Sequence, residues 1–335
     1  MKILLYPYSW VSRGVNRVRD RLYRIGLFAS KRAGLKVVSV GNISLGGTGK
    51  TPLVLELIKR LQAEGHRVAM VTRGYKGRWE KKHGRMLTDG DKFFGTWKDS
   101  GDEPYMIARN APGAGVFVGH DRLRSCRLAK VRGFGVAILD DGFQHRRLHR
   151  DLDIVLFNPK EKVLREPMAA LGRAQVILVP EEDADPWREE LARRFPKSRV
   201  YLYGVTPRHF VKVGGKSSPI PAADLKGVPF LAFSGIARPA RFFSMLEGQG
   251  LELAGRLPFP DHHPYPEETL TRIRERCERA GAKALVTTEK DAVKLAGRTA
   301  FVKHAPLYYL KIALRVEQGF FDQVLKAVPA RERRR

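Results

Sequence analysis

The stretch from Leu35 to Pro52, reading LKVVSVGNISLGGTGKTP, constrains this chain more than any other. Val37, Val38 and Val40 form a β-branched run, glycines crowd the turn that follows, and Leu53, Leu57, Ile58 and Leu61 then recur at helical spacing. Strand, glycine loop and helix in that order make a phosphate-binding loop. Glycines let the backbone curl until successive N–H groups and the helix N-terminus face one anion. Gly46, Gly47, Thr48 and Gly49 supply the cradle, Lys50 reaches the outer phosphates, and the Thr51 hydroxyl is placed to ligate Mg²⁺. Ser44 stands where the usual pattern has glycine, so the loop is a variant. A glycine-rich turn carrying a solvated lysine is the plainer alternative.

A chain of 335 residues exceeds one ordinary core, and an apolar content of 43% is enough for two domains and excludes a disordered chain. The 62 lysines and arginines against 35 acids leave a formal charge of +27. Such a surplus implies a polyanionic partner: nucleic acid, an anionic membrane or a phosphorylated substrate. Cys126 and Cys277, far apart, give neither a disulfide framework nor a zinc site, and fit a reducing compartment. No apolar run approaches the roughly 20 residues of a spanning helix. Arg13, Arg17, Arg19, Arg21 and Arg24 also break any signal-peptide core. In the same segment Val11, Val15, Val18 and Leu22 share one helical face, so residues 1–30 are expected to form a basic amphipathic helix. It either lies in an anionic membrane interface or packs on the sheet with its arginines in water.

Further strands are expected at Arg67–Thr72, Gly115–Val118, Phe134–Leu139, Asp153–Phe157 and Gln175–Val179, with a basic helix at His120–Arg132 between two of them. This alternation predicts a doubly wound, mostly parallel α/β sheet. Residues 76–100 read as a long polar loop. After it, Asp102 and Glu103 open a helix, where acids often only compensate the dipole. The strand ending at Leu139 runs into Asp140-Asp141-Gly142-Phe143-Gln144-His145. A carboxylate at the carboxyl end of a buried strand is where a phosphate-loop protein keeps its Mg²⁺-organising aspartate. Arg165 and Arg173 lie in the next connection, where an arginine either clamps a phosphoryl group or is one more surface charge. Residues 197–228 change character and read as a linker with short strands at 199–203 and 209–213. A second, smaller α/β unit follows, with strands at 230–236, 251–257 and 284–288, helices at 240–247, 266–280 and about 317–327, and the turn Asp261-His262-His263. The expected division is 1–30, a nucleotide-binding domain over 31–205, and a linker with C-terminal domain over 206–335.

Taken together, GNISLGGTGKTP (41–52), Arg73-Gly74-Tyr75, Gly101-Asp102-Glu103-Pro104, DDGFQH (140–145), Asp261-His262-His263 and Thr288-Glu289-Lys290-Asp291 resemble the tetraacyldisaccharide 4'-kinase family of lipid A biosynthesis. The resemblance covers nearly the whole chain, and Ser44 fits it, since that family carries Ser or Thr there. It implies a phosphate-loop domain and a second α/β domain joined by a two-stranded linker. It also implies transfer of the ATP γ-phosphoryl, with Mg²⁺, to the 4'-hydroxyl of a tetraacylated glucosamine disaccharide 1-phosphate, giving lipid IVA at the cytoplasmic face of the bacterial inner membrane. Asp102 matches the family's catalytic carboxylate and His262 the histidine partnering it, with His263 the competing choice. Asp140, Asp141, Gln144 and Thr51 match the Mg²⁺ region, Arg173 a phosphate-contacting arginine, and Tyr75, Glu103 and His145 substrate-side positions. The expected partners are the lipid precursor and an anionic membrane surface met by the N-terminal helix, with no nucleic acid.

Two other classes compete. A nucleic-acid-stimulated ATPase accommodates the charge and the phosphate loop, yet no nucleic-acid-binding module is present. A regulatory GTPase lacks its guanine-reading Asn-Lys-x-Asp, because Lys290 adjoins Asp291.

Overall fold

The computed structural model describes residues 22–23, 25, 27–44, 49–161, 163–215 and 218–329. The expected N-terminal helix lies mostly outside these residues, as do Gly46, Gly47 and Thr48. The chain divides into two compact units, one built from residues 1–100, 107–204 and 314–335 and the other from 101–106 and 205–313.

In the first unit β1 (Lys36–Asn42) leads into α1 (Lys50–Ala63), then β2 (Val68–Thr72), β3 (Arg85–Thr88) and a helical turn, α2 (Trp97–Ser100). Helix α3 (Asp102–Asn110), whose first residues belong to the second unit, precedes β4 (Gly115–Val118), α4 (Arg122–Val131), β5 (Val136–Asp140) and β6 (Leu152–Leu156). A 3-10 turn at Met168–Arg173, β7 (Val176–Pro180), α5 (Ala184–Arg194) and the first part of β8 (Arg199–Lys212) follow. The strand order is β8-β7-β6-β1-β5-β2-β4-β3. Only β3 runs antiparallel to its neighbour.

Strands buried on both faces read as continuous apolar runs, which is how β1, β5 and β7 read here. Alternation sends Val37, Ala69, Val71 and Ala137 to the face covered by Leu123, Cys126 and Ala129 of α4. Helix α1 packs on β1, β2 and β5 with Leu53, Leu57, Ile58 and Leu61 buried. Helices on both faces make the sheet doubly wound.

The second unit carries the rest of β8, then β9 (Pro229–Ser234), α6 (Pro239–Gly248), β10 (Glu252–Pro258), α7 (Glu267–Arg279), β11 (Ala284–Thr288), α8 (Glu289–Leu295), α9 (Thr299–His304) and β12 (Leu307–Val316). Helix α10 (Phe320–Ala327) returns to the first unit. The order here is β10-β9-β11-β12, all parallel. Leu231, Phe233 and Leu285 meet Leu270, Ile273 and Cys277 of α7 on one face. Phe230, Ala232 and Val286 meet Phe242, Phe243 and Leu246 of α6 on the other.

Several details depart from the sequence reading. The polar stretch 76–100 holds β3 and α2 rather than being loop throughout. The two short linker strands are one strand, β8, and α5, α9 and β12 had no sequence-based expectation. The last helix begins at Phe320 rather than near Glu317, because Gly319 takes φ +85° immediately before it.

Gly74 and Gly65 both have positive φ, +71° and +81°, but a Cβ on Gly74 falls 2.3 Å from Val118 Cγ1 and 2.5 Å from the Ser100 carbonyl oxygen, whereas one on Gly65 meets nothing within 4 Å. Gly65→Ala is expected to lose about 1 kcal/mol of stability, the left-handed cost alone, and Gly74→Ala about 1–3 kcal/mol more through overpacking. Denaturant unfolding of the two variants checks the difference; equal losses would refute it.

Candidate functional site

The first group of side chains forms where β1 and β5 end. Register places Val40 beside Asp140, so the twin acids lie alongside the start of the phosphate loop. The Gly142 amide donates to the Val40 carbonyl at 3.1 Å. A Cβ on Gly41 would fall 2.5 Å from Phe143 Cβ, so glycine is what admits the DDGFQH turn against β1. Gly49, with φ +79°, turns the chain into α1 and makes Lys50 its first residue.

Lys50 Nζ lies 2.9 Å from one Asp141 oxygen, and the Arg165 guanidinium 2.7 Å from the other. Burial opposes ionisation of Asp141, but Lys50 and Arg165 outweigh it and hold the carboxyl well below the usual range. Asp141 also has φ +55°, a conformation uncommon outside glycine and concentrated at functional sites. Asp140 is buried and accepts from the Thr72 hydroxyl at 3.1 Å.

Arg165 owes its place to backbone pairing across the connection. Its amide donates to the Ile43 carbonyl at 2.7 Å, and Leu164 bridges to Ser44. Arg173, the arginine expected to meet phosphate, lies 2.6 Å from the wholly buried Glu166 and stacks 4.4 Å over the Phe143 ring. Gln144 donates to the Asn42 carbonyl at 2.8 Å. Burial, then the charge of Arg122, pushes His145 down to about 4. Tyr75 is 56% exposed.

No cluster of three His, Cys, Asp or Glu among the described residues holds a metal unaided. Mg²⁺ sites of this kind need only one or two carboxylates, with phosphate oxygens and water completing the octahedron. Asp140 at the carboxyl end of β5, Asp141 after it and Thr51 on α1 offer hard oxygen donors and so fit that demand.

The second group is built in the other unit from the carboxyl ends of β9, β10 and β11, where ligand sites in parallel sheets collect. Asp102, 5% exposed, opens α3. The turn after β10 brings His262, whose φ is +60°, so that Nδ1 lies 2.9 and 3.1 Å from the two Asp102 oxygens across 160 residues of sequence. His263 turns the other way, onto Thr269 at 3.0 Å, and stacks on Phe259. Of the two candidate histidines, His262 is the one that meets Asp102.

Two lysines that sequence reasoning did not single out complete this group. Lys290 Nζ is 3.0 Å from Glu103, 3.0 Å from Asp261 and 3.1 Å from His262 Nε2. Lys294, its side chain 1% exposed, lies 3.4 Å from Asp102 and 2.8 Å from Asp291. Desolvation alone would raise the Asp102 pKa. The hydrogen bond from His262 and the charges of Lys290, His262 and Lys294 instead bring it down to about 2. The available signal was the i, i+4 spacing of Lys290 and Lys294 on a short helix directly after a strand end.

The sequence pattern of the tetraacyldisaccharide-1-P 4'-kinase family matches residues 1–329. The chain is similar to proteins named tetraacyldisaccharide 4'-kinase from Pelobacter propionicus, 38% identical over 88% of this chain and 83% of the relative, and from Geobacter metallireducens, 39% identical over 88% of each. A crystal structure of LpxK from Aquifex aeolicus in complex with ATP is similar in fold, with a TM-score of 0.77, 28% identity and 97% of both chains covered. A match over nearly the whole length, joined to the phosphate-loop acids and the buried acid–histidine pair, establishes that this chain belongs to the tetraacyldisaccharide-1-P 4'-kinase family.

Proposed function

We propose that the chain transfers the γ-phosphoryl of ATP to the 4'-hydroxyl of a tetraacylated glucosamine disaccharide 1-phosphate, and that Asp102 receives the hydroxyl proton. What supports this reading above all is the Asp102–His262 contact, in which a buried carboxylate is kept ionised and given a fixed orientation. The substrate hydroxyl donates its hydrogen bond to Asp102 and its oxygen attacks the γ-phosphorus. The bond to the β,γ-bridging oxygen breaks, ADP departs, and the proton passes to Asp102. A carboxyl held near 2 is a weak base. In the loose transition state of phosphoryl transfer, however, the proton leaves late, so orientation and charge neutralisation carry most of the work. The protonated Asp102 then loses its proton to water at once.

Lys50, with Arg165 beside it at Asp141, neutralises charge on the transferring group, and Arg173, stacked on Phe143 and paired with Glu166, is the arginine that contacts phosphate. Mg²⁺, held from the chain by Asp140, Asp141 and Thr51 with Gln144 nearby, supplies further neutralisation when bound. Tyr75, Glu103 and His145 serve the sugar side. Residues 31–205 serve as the nucleotide-binding domain and 206–335 as the linker and C-terminal domain, apart from 101–106, which belong to the second compact unit, and 314–335, which belong to the first. Four acyl chains leave a bilayer at about 0.8 kcal/mol per CH₂, so the enzyme works at the membrane surface. The basic N-terminal segment attaches it to the cytoplasmic face of the inner membrane. None of the described helices is long and apolar enough to cross a membrane.

The activity is tested with radiolabelled ATP and the monophosphorylated disaccharide; absence of a bis-phosphorylated product would overturn it. Asp102→Ala is expected to lower kcat by about 10²–10⁴ with nucleotide affinity nearly unchanged. His262→Ala should add little in the double variant, since the two act as one unit. Arg165→Ala and Arg173→Ala are each expected to cost turnover, and Arg173→Ala about 3 kcal/mol of stability besides, by leaving buried Glu166 unpaired; kinetics and unfolding measured on both variants separate the two effects. The depressed Asp102 pKa adds stability that is full above its unfolded value of about 3.9 and is lost as pH falls through about 2. The stability gap between wild type and Asp102→Asn should therefore narrow as acid titration enters that window, and a gap independent of pH would contradict the shift.

A further inference from the structure

Helix α8 presents Lys290 and Lys294 from one face, one turn apart, to the acid–histidine pair. What fixes that face is Asp291, wholly buried. Its carboxylate accepts from the Gly235 amide at 2.9 Å and the Thr288 hydroxyl at 2.7 Å, while the Asp291 amide donates back to Thr288 at 3.1 Å. The helix start is thus pinned to the ends of β9 and β11. Lys294 is held further by the His263 carbonyl at 2.9 Å and lies 5.0 Å over the Tyr265 ring.

A lysine ammonium has three protons to donate and accepts nothing. Around Lys290 Nζ stand three partners, Asp261 Oδ1, Glu103 Oε1 and His262 Nε2, each within 3.1 Å. Nε2 must then offer its lone pair, which leaves the ring proton on Nδ1, aimed at Asp102. We propose that Lys290 is a positioning residue that fixes His262 as the Nδ1–H tautomer, so that the ring donates one hydrogen bond to Asp102 and leaves that carboxylate open to the substrate hydroxyl. The assignment rests on the reading of Asp102 and His262 as the pair serving phosphoryl transfer.

The surroundings make the lysine necessary for that state. Asp102 from α3 and Asp261 from the turn itself face His262, with Asp261 Oδ1 3.8 Å from Nε2, while Glu103 pairs with Lys290. Lys294 is the other cation at Asp102. Take Lys290 away and the ring sits between Asp102 and Asp261, with Nε2 facing the Asp261 carboxylate and Lys294 remaining only on the Asp102 side. The imidazolium is then favoured, and it grips Asp102 more tightly. Burial works against the charge on Lys290, but Glu103, Asp102 and Asp261 outweigh it and raise its pKa, so the ammonium persists throughout the working range.

The test is ¹⁵N NMR of the imidazole nitrogens in the full-length protein, with the His262 signals assigned by loss in His262→Gln, alongside steady-state kinetics against pH. Wild type is expected to show a protonated Nδ1 and an unprotonated Nε2 at neutral pH; an Nε2–H tautomer or an imidazolium there overturns the proposal without any variant. Lys290→Met is expected to show protonated Nε2, a kcat lower by about 10², a KM for ATP within about twofold of wild type, and a kcat optimum moved to higher pH. Lys290→Arg, which keeps a charged donor, should restore the tautomer and the pH profile. Wild-type ring signals and an unshifted profile in Lys290→Met would refute the role. The parent reading fails separately, if His262→Gln and Asp102→Ala retain full turnover while the ring still follows Lys290.

Discussion

A carboxylate as buried as Asp102 stays ionised only because cationic and hydrogen-bonding groups surround it, and much of the second unit's local structure is devoted to supplying them. The desolvation penalty of a buried charge runs to several kcal/mol unless partners with good geometry offset it. Here the partners come from three strand ends: His262 after β10, Lys290 and Lys294 after β11, and Gly235 after β9, which anchors α8 through Asp291. The parallel sheet delivers all of them to one edge because every strand points the same way. Fold and charge balance are therefore one requirement, since a strand reversed would carry its cation to the opposite edge.

The first unit solves the same problem with the signs exchanged. There Asp141 holds both cations, Lys50 and Arg165, which on the proposed function face phosphate. An anion that lies between two cations keeps them pointed at one place. Arriving phosphate oxygens can then replace part of that pairing without a large rearrangement of side chains. Both clusters also use left-handed backbone at the residue that aims the chemistry, Asp141 at φ +55° and His262 at φ +60°, where a local cost is tolerated because the surrounding turn is over-determined.

What the sequence made legible was local. The valine run of β1, the glycines of the loop and the 3.6-residue period of α1 announce themselves within twenty residues, and Asp140 and Asp141 stand directly after an apolar strand. What it hid depends on contacts distant in the chain. Arg165 and Arg173 are equivalent as letters; the Leu164–Ser44 bridge and the Ile43 carbonyl decide which one lies beside Asp141. Strand β12, LYYLKIALRV, mixes charged and apolar residues without a clean period, and its pairing with β11 is what makes it a strand. Helix α5 carries Asp185-Pro186 in its first turn, with Asp185 at non-helical ψ 131°, which removes the usual start signal. Lys290 was visible as part of the Thr288-Glu289-Lys290-Asp291 motif and as the residue that spoils a guanine-reading pattern, with no role attached to it.

The net charge of +27 gains meaning from these two clusters. Within them the carboxylates, Asp141 in one and Asp102, Glu103, Asp261 and Asp291 in the other, outnumber the cations Lys50, Arg165, Lys290 and Lys294 by five to four. The surplus is therefore carried elsewhere, on the exposed arginines and lysines of elements such as α4 and the 76–98 stretch, and in the basic N-terminal segment. Charge spread in that way does not organise chemistry at one atom. It raises the local concentration of anything polyanionic near the protein, and its effect falls off over the roughly 8–10 Å of a physiological Debye length. A phosphorylated glycolipid in an anionic leaflet presents that kind of target, so on the proposed function the two paired clusters serve specificity and turnover while the basic surface serves encounter.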